Sequence, residues 1–244
     1  MSGVLTITLN SANKLLHWLM TSRKSYVGLM KLHKPVPKGR LEEVFFEFES
    51  EIYQTPPFRA AVKRQTRRRK VYRLQILESE SEYVLFRADV DAGTYVRKLC
   101  FDIGEALGVG ASMIELRRTS SGAFDERSCV TLNRLAYLLK VEKNEEEASR
   151  FFIPVEVALP EFPVLVVRES AVKNLYNGAP LMAPGVVCVS NDVKAEGQAL
   201  VYSESGELIE VALSKRGKEE ILQAHSGVVA VPIRVLDPRV TTEH

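Results

Sequence analysis

The tightest constraint on the fold lies between residues 83 and 107. "YVLFRADV" (83–90) alternates apolar and polar positions, the period of a half-buried strand. After "DAGTY" the period changes. Val96, Leu99, Cys100, Ile103 and Leu107 fall on one face of an amphipathic helix that ends in the Gly108–Gly110 region. A strand running directly into such a helix calls for a sheet with the helix laid on its apolar face. Arg97 sits at the junction, shortly after Gly93. A guanidinium keeps its charge at ordinary pH and needs an anion or water when partly buried, so its partner is the first chemical question.

Around this centre the pattern is mixed. "SANKLLHWLM" (11–20) predicts a helix with Leu15, Leu16, Leu19 and Met20 on one face and Ser11 or Asn13 as cap. "SYVGLMKL" (25–32) reads as a strand, "LEEVFFEFESEI" (41–52) suits a helix or an exposed strand, and "TPPF" (55–58) breaks either. "SMIELRRTSSGAF" (112–124) reads as strand and turn, Thr131 caps a helix in "LNRLAYLLK", and "KNEEEASR" (143–150) is a solvated charge run at a domain boundary. From about residue 160 short β-rich runs separated by Gly, Asn and Asp turns replace this texture, marking a separate β-barrel-like module.

At 45% hydrophobic and 26% charged, the 244 residues have globular composition. No apolar run approaches the roughly 20 residues that span a bilayer, so no membrane role is expected. Without a recognisable leader, and with three scattered cysteines (Cys100, Cys129, Cys188), a reducing, cytoplasmic setting is expected. His17, His33, His225 and His244 show no metal spacing, the glycines of "GEALGVG" close a helix instead of opening one, and Ser120 and Ser121 lack a nucleophile elbow. Zinc, nucleotide-hydrolase and serine-hydrolase chemistry therefore find no support.

The net charge of +2 is uninformative, but its distribution is not. Lys63, Arg64, Arg67, Arg68, Arg69, Lys70 and Arg73 crowd seven positive charges into eleven positions without an acid. Such self-repelling clusters serve to neutralise a phosphate backbone; a solvated basic loop or an acidic protein partner is the competing reading. Arg117 and Arg118, adjacent on a strand, point to opposite faces and are a weak signal. Tyr26, two residues after Lys24, is by spacing alone half-buried packing, although nucleic-acid enzymes use such rings to stack a flipped base.

Three ordered stretches carry a family resemblance. "KSY" is similar to a Lys-x-Tyr motif, "QTPPFRAAVKRQTRRRKVY" to a Gln-x-Pro-Pro…Ala-Val-Lys segment in its Arg-rich form, and "GTYVRKLCFDIGEALGVGASMIELRRTSSGAF" to a Gly-Thr-Tyr-Val-Arg motif followed at fixed spacing by Leu-Arg-Arg-Thr…Gly. Together they resemble the TruB/dyskerin family of RNA pseudouridine synthases, most closely its archaeal branch working in H/ACA guide-RNA particles. The resemblance implies an α+β fold: a catalytic domain (1–155) with a mixed, largely antiparallel sheet and flanking helices, then a β-barrel-like PUA RNA-binding domain (160–240). It implies uridine-to-pseudouridine isomerisation in rRNA or tRNA with no cofactor and no metal. The implied partners are guide RNA, substrate RNA and the H/ACA particle proteins. Tyr26 would stack on the target uracil, Leu116 would line its pocket, and Arg97 would pair with the catalytic aspartate. Lys24, Lys63, Arg64, Arg67, Arg68, Arg69, Lys70, Arg117 and Arg118 would meet RNA.

One departure matters. The family aspartate lies in a Gly-x-Leu-Asp-Pro motif, of which "SGVL" (2–5) matches only the tail. The expectation is a domain N-terminally truncated ahead of its nucleophile, through a start assigned too far downstream, a truncated relative or an expression fragment. Asp89, Asp91, Asp102 and Asp125 lie near the matched motifs, but none occupies the nucleophile's place. The alternatives are a stand-alone tRNA pseudouridine-55-type synthase, which the Arg-rich segment and the PUA length disfavour, and a non-catalytic RNA-binding scaffold.

Overall fold

The computed structural model describes residues 2–56 and 63–236. Parts of "TPPF" and of the Gln-x-Pro-Pro segment, the C-terminal end of the 160–240 domain, and His244 lie outside the described residues. The chain groups into two compact units, Met1–Thr6 with Leu19–Phe151 and Ile7–Trp18 with Phe152–His244. By this grouping Ile7–Trp18 goes with the second unit.

The first unit runs β1 (Ser2–Gly3), α1 (Leu16–Thr21, shared in sequence with the second grouping), β2 (Lys24–Leu32), α2 (Lys38–Phe48), β3 (Glu51–Gln54), β4 (Arg67–Glu80), β5 (Tyr83–Val90), α3 (Val96–Ala106), β6 (Ala111–Ser121), β7 (Phe124–Asp125), α4 (Leu132–Tyr137) and α5 (Glu145–Ser149). Its sheet has the order β1-β6-β2-β5-β4-β3 with β7 beside β6. Within this sheet, only the β1·β6 pairing is parallel among the described residues. The alternation of β5 buries Val84, Phe86, Ala88 and Val90, and α3 buries Val96, Leu99, Cys100, Ile103 and Gly104 against that face. The ambiguous stretch at 41–52 divides into α2, which buries Leu41, Val44 and Phe45, and β3. Burial pushes the Cys100 thiol up to about 12, so it is an inert core group.

The N-terminal helix departs from its expected phase. A 3-10 turn over Asn10–Leu15 leads into α1, and three residues per turn superpose i and i+3. Leu15, Trp18 and Leu19 are buried in consequence, while Leu16 and Met20 are 40% and 64% exposed. Leu9 occupies the N-cap position with no side-chain cap, in place of Ser11 or Asn13. Thr131 caps α4 as expected, accepting a hydrogen bond from the Arg134 amide. The 143–150 charge run contains α5, started by the Asn144 side chain.

The helix α3 approaches β6 closely at Gly104, where a Cβ would lie 2.1 Å from the Ala111 amide nitrogen. Gly104 also accepts hydrogen bonds from the Val109 and Gly110 amides at 3.2 and 2.9 Å, closing the turn from α3 to β6. Gly104→Ala is expected to lower stability by about 1–3 kcal/mol, since backbone must move to admit the methyl. Urea unfolding measures it, and a change smaller than about 0.5 kcal/mol, the range of ordinary surface substitutions, refutes the close approach.

In the second unit β8 (Val164–Val167), α6 (Glu169–Tyr176), β9 (Leu181–Met182), β10 (Val186–Val189), β11 (Gln198–Ser203), β12 (Leu208–Ser214), α7 (Lys218–Gln223) and β13 (Val228–Val235) follow in order. The sheet order is β10-β8-β11-β12-β13-β9. Its two end strands, β9 and β10, are joined in sequence only by the turn Ala183–Gly185, so the sheet curls round on itself as a nearly closed barrel. Leu165, Val167, Val201, Ile209, Val229 and Ala230 fill its core. Among the described residues no helix is long and apolar enough to cross a membrane.

Candidate active site

The centre of the first sheet places the motif residues. On β2, Tyr26 pairs with Ala88 of β5 and Arg118 of β6, and Gly28 pairs with Phe86 and Leu116. Directly paired residues share a face, so Tyr26 and Leu116 stand on one side of neighbouring strands, the side covered by α3. A Cβ on Gly28 would lie 2.6 Å from Phe86 Cζ and 3.2 Å from Leu116 Cδ1. Glycine there lets Phe86 and Leu116 close over the strand beside Tyr26. Both Tyr26 and Leu116 are half-buried against the core, a flat apolar setting suited to holding a planar base.

The turn into α3 is tied down on both sides. Asp91 accepts hydrogen bonds from the Lys70 amide (2.8 Å) and the Tyr72 hydroxyl (2.9 Å). Gly93 takes φ +76°, the left-handed region. Buried Gln54, 2% exposed, accepts from the Tyr95 amide at 2.9 Å and donates to the Tyr95 carbonyl at 3.3 Å. Tyr95 is the N-cap of α3 and Arg97 its second residue. Gln54 thus fixes the start of the helix that carries Arg97, a role that sequence reasoning missed although Gln54 heads the quoted "QTPP".

Arg97 is exposed, and among the described residues its side chain makes no hydrogen bond or ion pair. The nearby acids are engaged elsewhere: Asp89 with Arg87 at 3.3 Å, Asp91 as above, Asp102 with Lys98, and Asp125 with the amides of Arg127 and Ser128. Among the described residues no cluster of three His, Cys, Asp or Glu side chains is placed to hold a metal.

The basic residues sort unequally. Lys24 is 8% exposed and gives its ammonium to the carbonyls of Leu19, Met20 and Ser22, at and just beyond the end of α1. Burial first, and Arg118 second, draws its pKa down. That is a helix-terminating role, and it leaves Lys24 no free donor for RNA. Arg117 pairs with Glu126 at 2.7 Å, and Arg118 Nε donates to the Val4 carbonyl at 2.6 Å, securing β1. The segment read as one basic cluster is mostly strand: Lys63 and Arg64 precede β4, and pleating sends Arg67 and Arg69 to one face, Arg68 and Lys70 to the other. Arg68 pairs with Glu51 at 3.1 Å, and Lys70 stands 5.3 Å over the Tyr72 ring, on which Arg23 also stacks at 3.9 Å.

Known families match most of the chain: the TruB family pseudouridylate synthase N-terminal domain over residues 1–96, the tRNA pseudouridylate synthase B C-terminal domain over 97–160 and a PUA domain over 163–236. Fold and matches define a pseudouridine synthase, an isomerase by family, followed by a PUA domain. The "probable tRNA pseudouridine synthase B" of Methanosarcina barkeri is 42% identical over 238 residues, covering 96% of this chain and 70% of that protein. Its namesake from Archaeoglobus fulgidus is 41% identical over 98% of this chain and 74% of its own length. The chain belongs to the TruB family of pseudouridylate synthases. Among solved structures, a Cbf5–Nop10–Gar1 complex superposes with TM-score 0.90 at 38% identity, over 98% of this chain and 74% of that one. An H/ACA ribonucleoprotein bound to a substrate RNA containing 2′-deoxyuridine gives 0.85 at 36%, over 95% and 71%.

Proposed function

We propose that the chain supplies the uracil-holding site of an RNA-guided pseudouridine synthase, the cytoplasmic catalytic subunit of an archaeal H/ACA-type particle modifying rRNA or tRNA. The observation that carries this reading is the placement of Tyr26 and Leu116 on one face of adjoining strands beneath α3, with an unpaired Arg97 on that helix's first turn. Tyr26 stacks on the extruded uracil and Leu116 closes the edge of its pocket. In the reaction a carboxylate attacks the nucleotide, the N1–C1′ bond breaks, the uracil turns, and C5 joins C1′ as the bond to the carboxylate breaks and frees it. C5 gives up its proton and N1 gains one, so the reaction is an isomerisation without a cofactor. Desolvation in such a pocket raises a carboxylate's pKa, and a paired guanidinium opposes the rise and fixes its direction. Arg97 is that guanidinium.

The guided role draws support from the H/ACA structures that superpose on nearly the whole chain, and partners such as Nop10, Gar1 and a substrate RNA follow from those likenesses. The curated relatives' names favour a second reading, direct action on tRNA. Pseudouridine formation is expected on a guide-bound substrate when a Gly-x-Leu-Asp-Pro segment precedes residue 2, and not from these 244 residues alone. Turnover by the 244 residues would show that the nucleophile lies among them. Equal turnover of bare tRNA without guide would favour the second reading.

A further inference from the structure

We propose that Arg67 and Arg69, with the turn at Gly93–Tyr95, form a seat for a single phosphodiester group of bound RNA. The inference rests on the reading of the chain as an RNA-modifying protein and assigns one contact within it. Arg67, Arg69, Gln54, Pro56, Gly93 and Tyr95 line a cavity of about 70 Å³, and no carboxylate is among them. The two arginines alternate with Arg68 along β4, so they project from the same face about 7 Å apart, close enough for both forks to reach one oxyanion.

Each is short of a partner. Arg67 is exposed and makes no ion pair among the described residues. Arg69 donates from Nη1 to the Arg68 carbonyl at 3.1 Å, but its Nε is buried without a hydrogen-bond partner among them. The guanidinium lies against Gly93: a Cβ there would be 3.2 Å from Nη2 and 3.6 Å from Nε. The left-handed turn at Gly93 therefore both admits the arginine and shapes the cavity wall. Asp91, the nearest acid along that turn, is already held by the Lys70 amide and the Tyr72 hydroxyl. Two like charges converging on a polar cavity with a buried free donor call for a compact, multiply accepting anion. A phosphodiester has that chemistry. Arg68, on the opposite face and paired with Glu51, falls outside the seat.

Free phosphate offers the same chemistry, so the test separates the two sources. RNA affinity of the full chain is measured across a salt series for the parent, Arg67→Gln, Arg69→Gln, Arg69→Lys and Arg68→Gln. Loss of either seat arginine is expected to weaken binding and reduce the slope of log K against log salt by about 1. Arg69→Lys keeps the slope but loses affinity with the fork, and Arg68→Gln leaves the slope near that of the parent. If Arg69→Gln fails to fold, exposed Arg67→Gln carries the same expectation. Side-chain nitrogen spectra follow the Arg69 Nε–H as RNA or inorganic phosphate is added. A response to RNA supports the seat; a response to phosphate and none to RNA overturns the RNA assignment. Equal losses at Arg67, Arg68 and Arg69, or none at Arg67 and Arg69 while the parent binds RNA, overturn the seat alone. Failure of the parent to bind RNA overturns the seat and the functional reading together.

Discussion

Arg97→Lys is expected to lower the rate of pseudouridine formation by about 10²–10³-fold in a chain that carries the Gly-x-Leu-Asp-Pro segment, with RNA affinity unchanged. Lysine keeps the charge and the helix propensity, so the variant isolates what the planar fork contributes. Removing one partner of a desolvated ion pair costs about 3–5 kcal/mol, and the substitution forfeits most of that through lost direction of the carboxylate. The effect belongs in kcat, because Arg97 acts through the nucleophile and not through the RNA. Arg97 is exposed at the second position of α3 in this structure, so folding is not at stake. Single-turnover assays with saturating RNA decide the matter: a rate within a few-fold of the parent removes Arg97 from the chemistry, and a loss confined to KM would make it an RNA contact.

Gln54 belongs to the same device. Its carboxamide is satisfied twice by the Tyr95 backbone, which sets where α3 begins and so where Arg97 points. The connection runs from β3 across 41 residues, and no local pattern announces it. The same distinction separates what was legible from what was not. The change of period at residues 90–96 announced the strand, helix and layered packing because each depends on neighbours within two turns. The paired placement of Tyr26 and Leu116 needed the strand register, and the resemblance stood in for it. The partners of Lys24 were illegible because they are carbonyls around the end of α1, and a backbone acceptor has no signature in the sequence. The basic segment was legible as charge and illegible as geometry. Once β4 is a strand, alternate arginines part company, and Glu51, which answers Arg68, sits on a different strand. Leu16 and Met20 were misplaced because a 3-10 start shifts the helical phase by a fraction of a turn.

Glu210 went unremarked in "LIEVAL", where one acid in a β-run looks like the solvent side of a strand. It is instead fully buried, opposite Val201 on β11 and Val235 on β13, and neither carboxylate oxygen has a hydrogen-bond partner among the described residues. Burial raises its pKa to about 8, against about 4.3 in an unfolded chain. Below the lower value both states are protonated, and this group gives no pH dependence. Between the two, the folded chain holds a proton that the unfolded chain has released, so rising pH favours unfolding. Stability present at acid pH is therefore lost progressively from about pH 4.5 to about pH 8, by about 3–5 kcal/mol. Glu210→Gln removes the titration while keeping the shape, and its amide carries whatever burial cost it has equally at every pH. The β-barrel transition of the parent is expected to fall in Tm between pH 5 and pH 8 by several degrees more than that of Glu210→Gln, with the variant the more stable of the two at pH 8. Parallel Tm–pH curves for the two proteins would mean that Glu210 is ionised and compensated in the folded state.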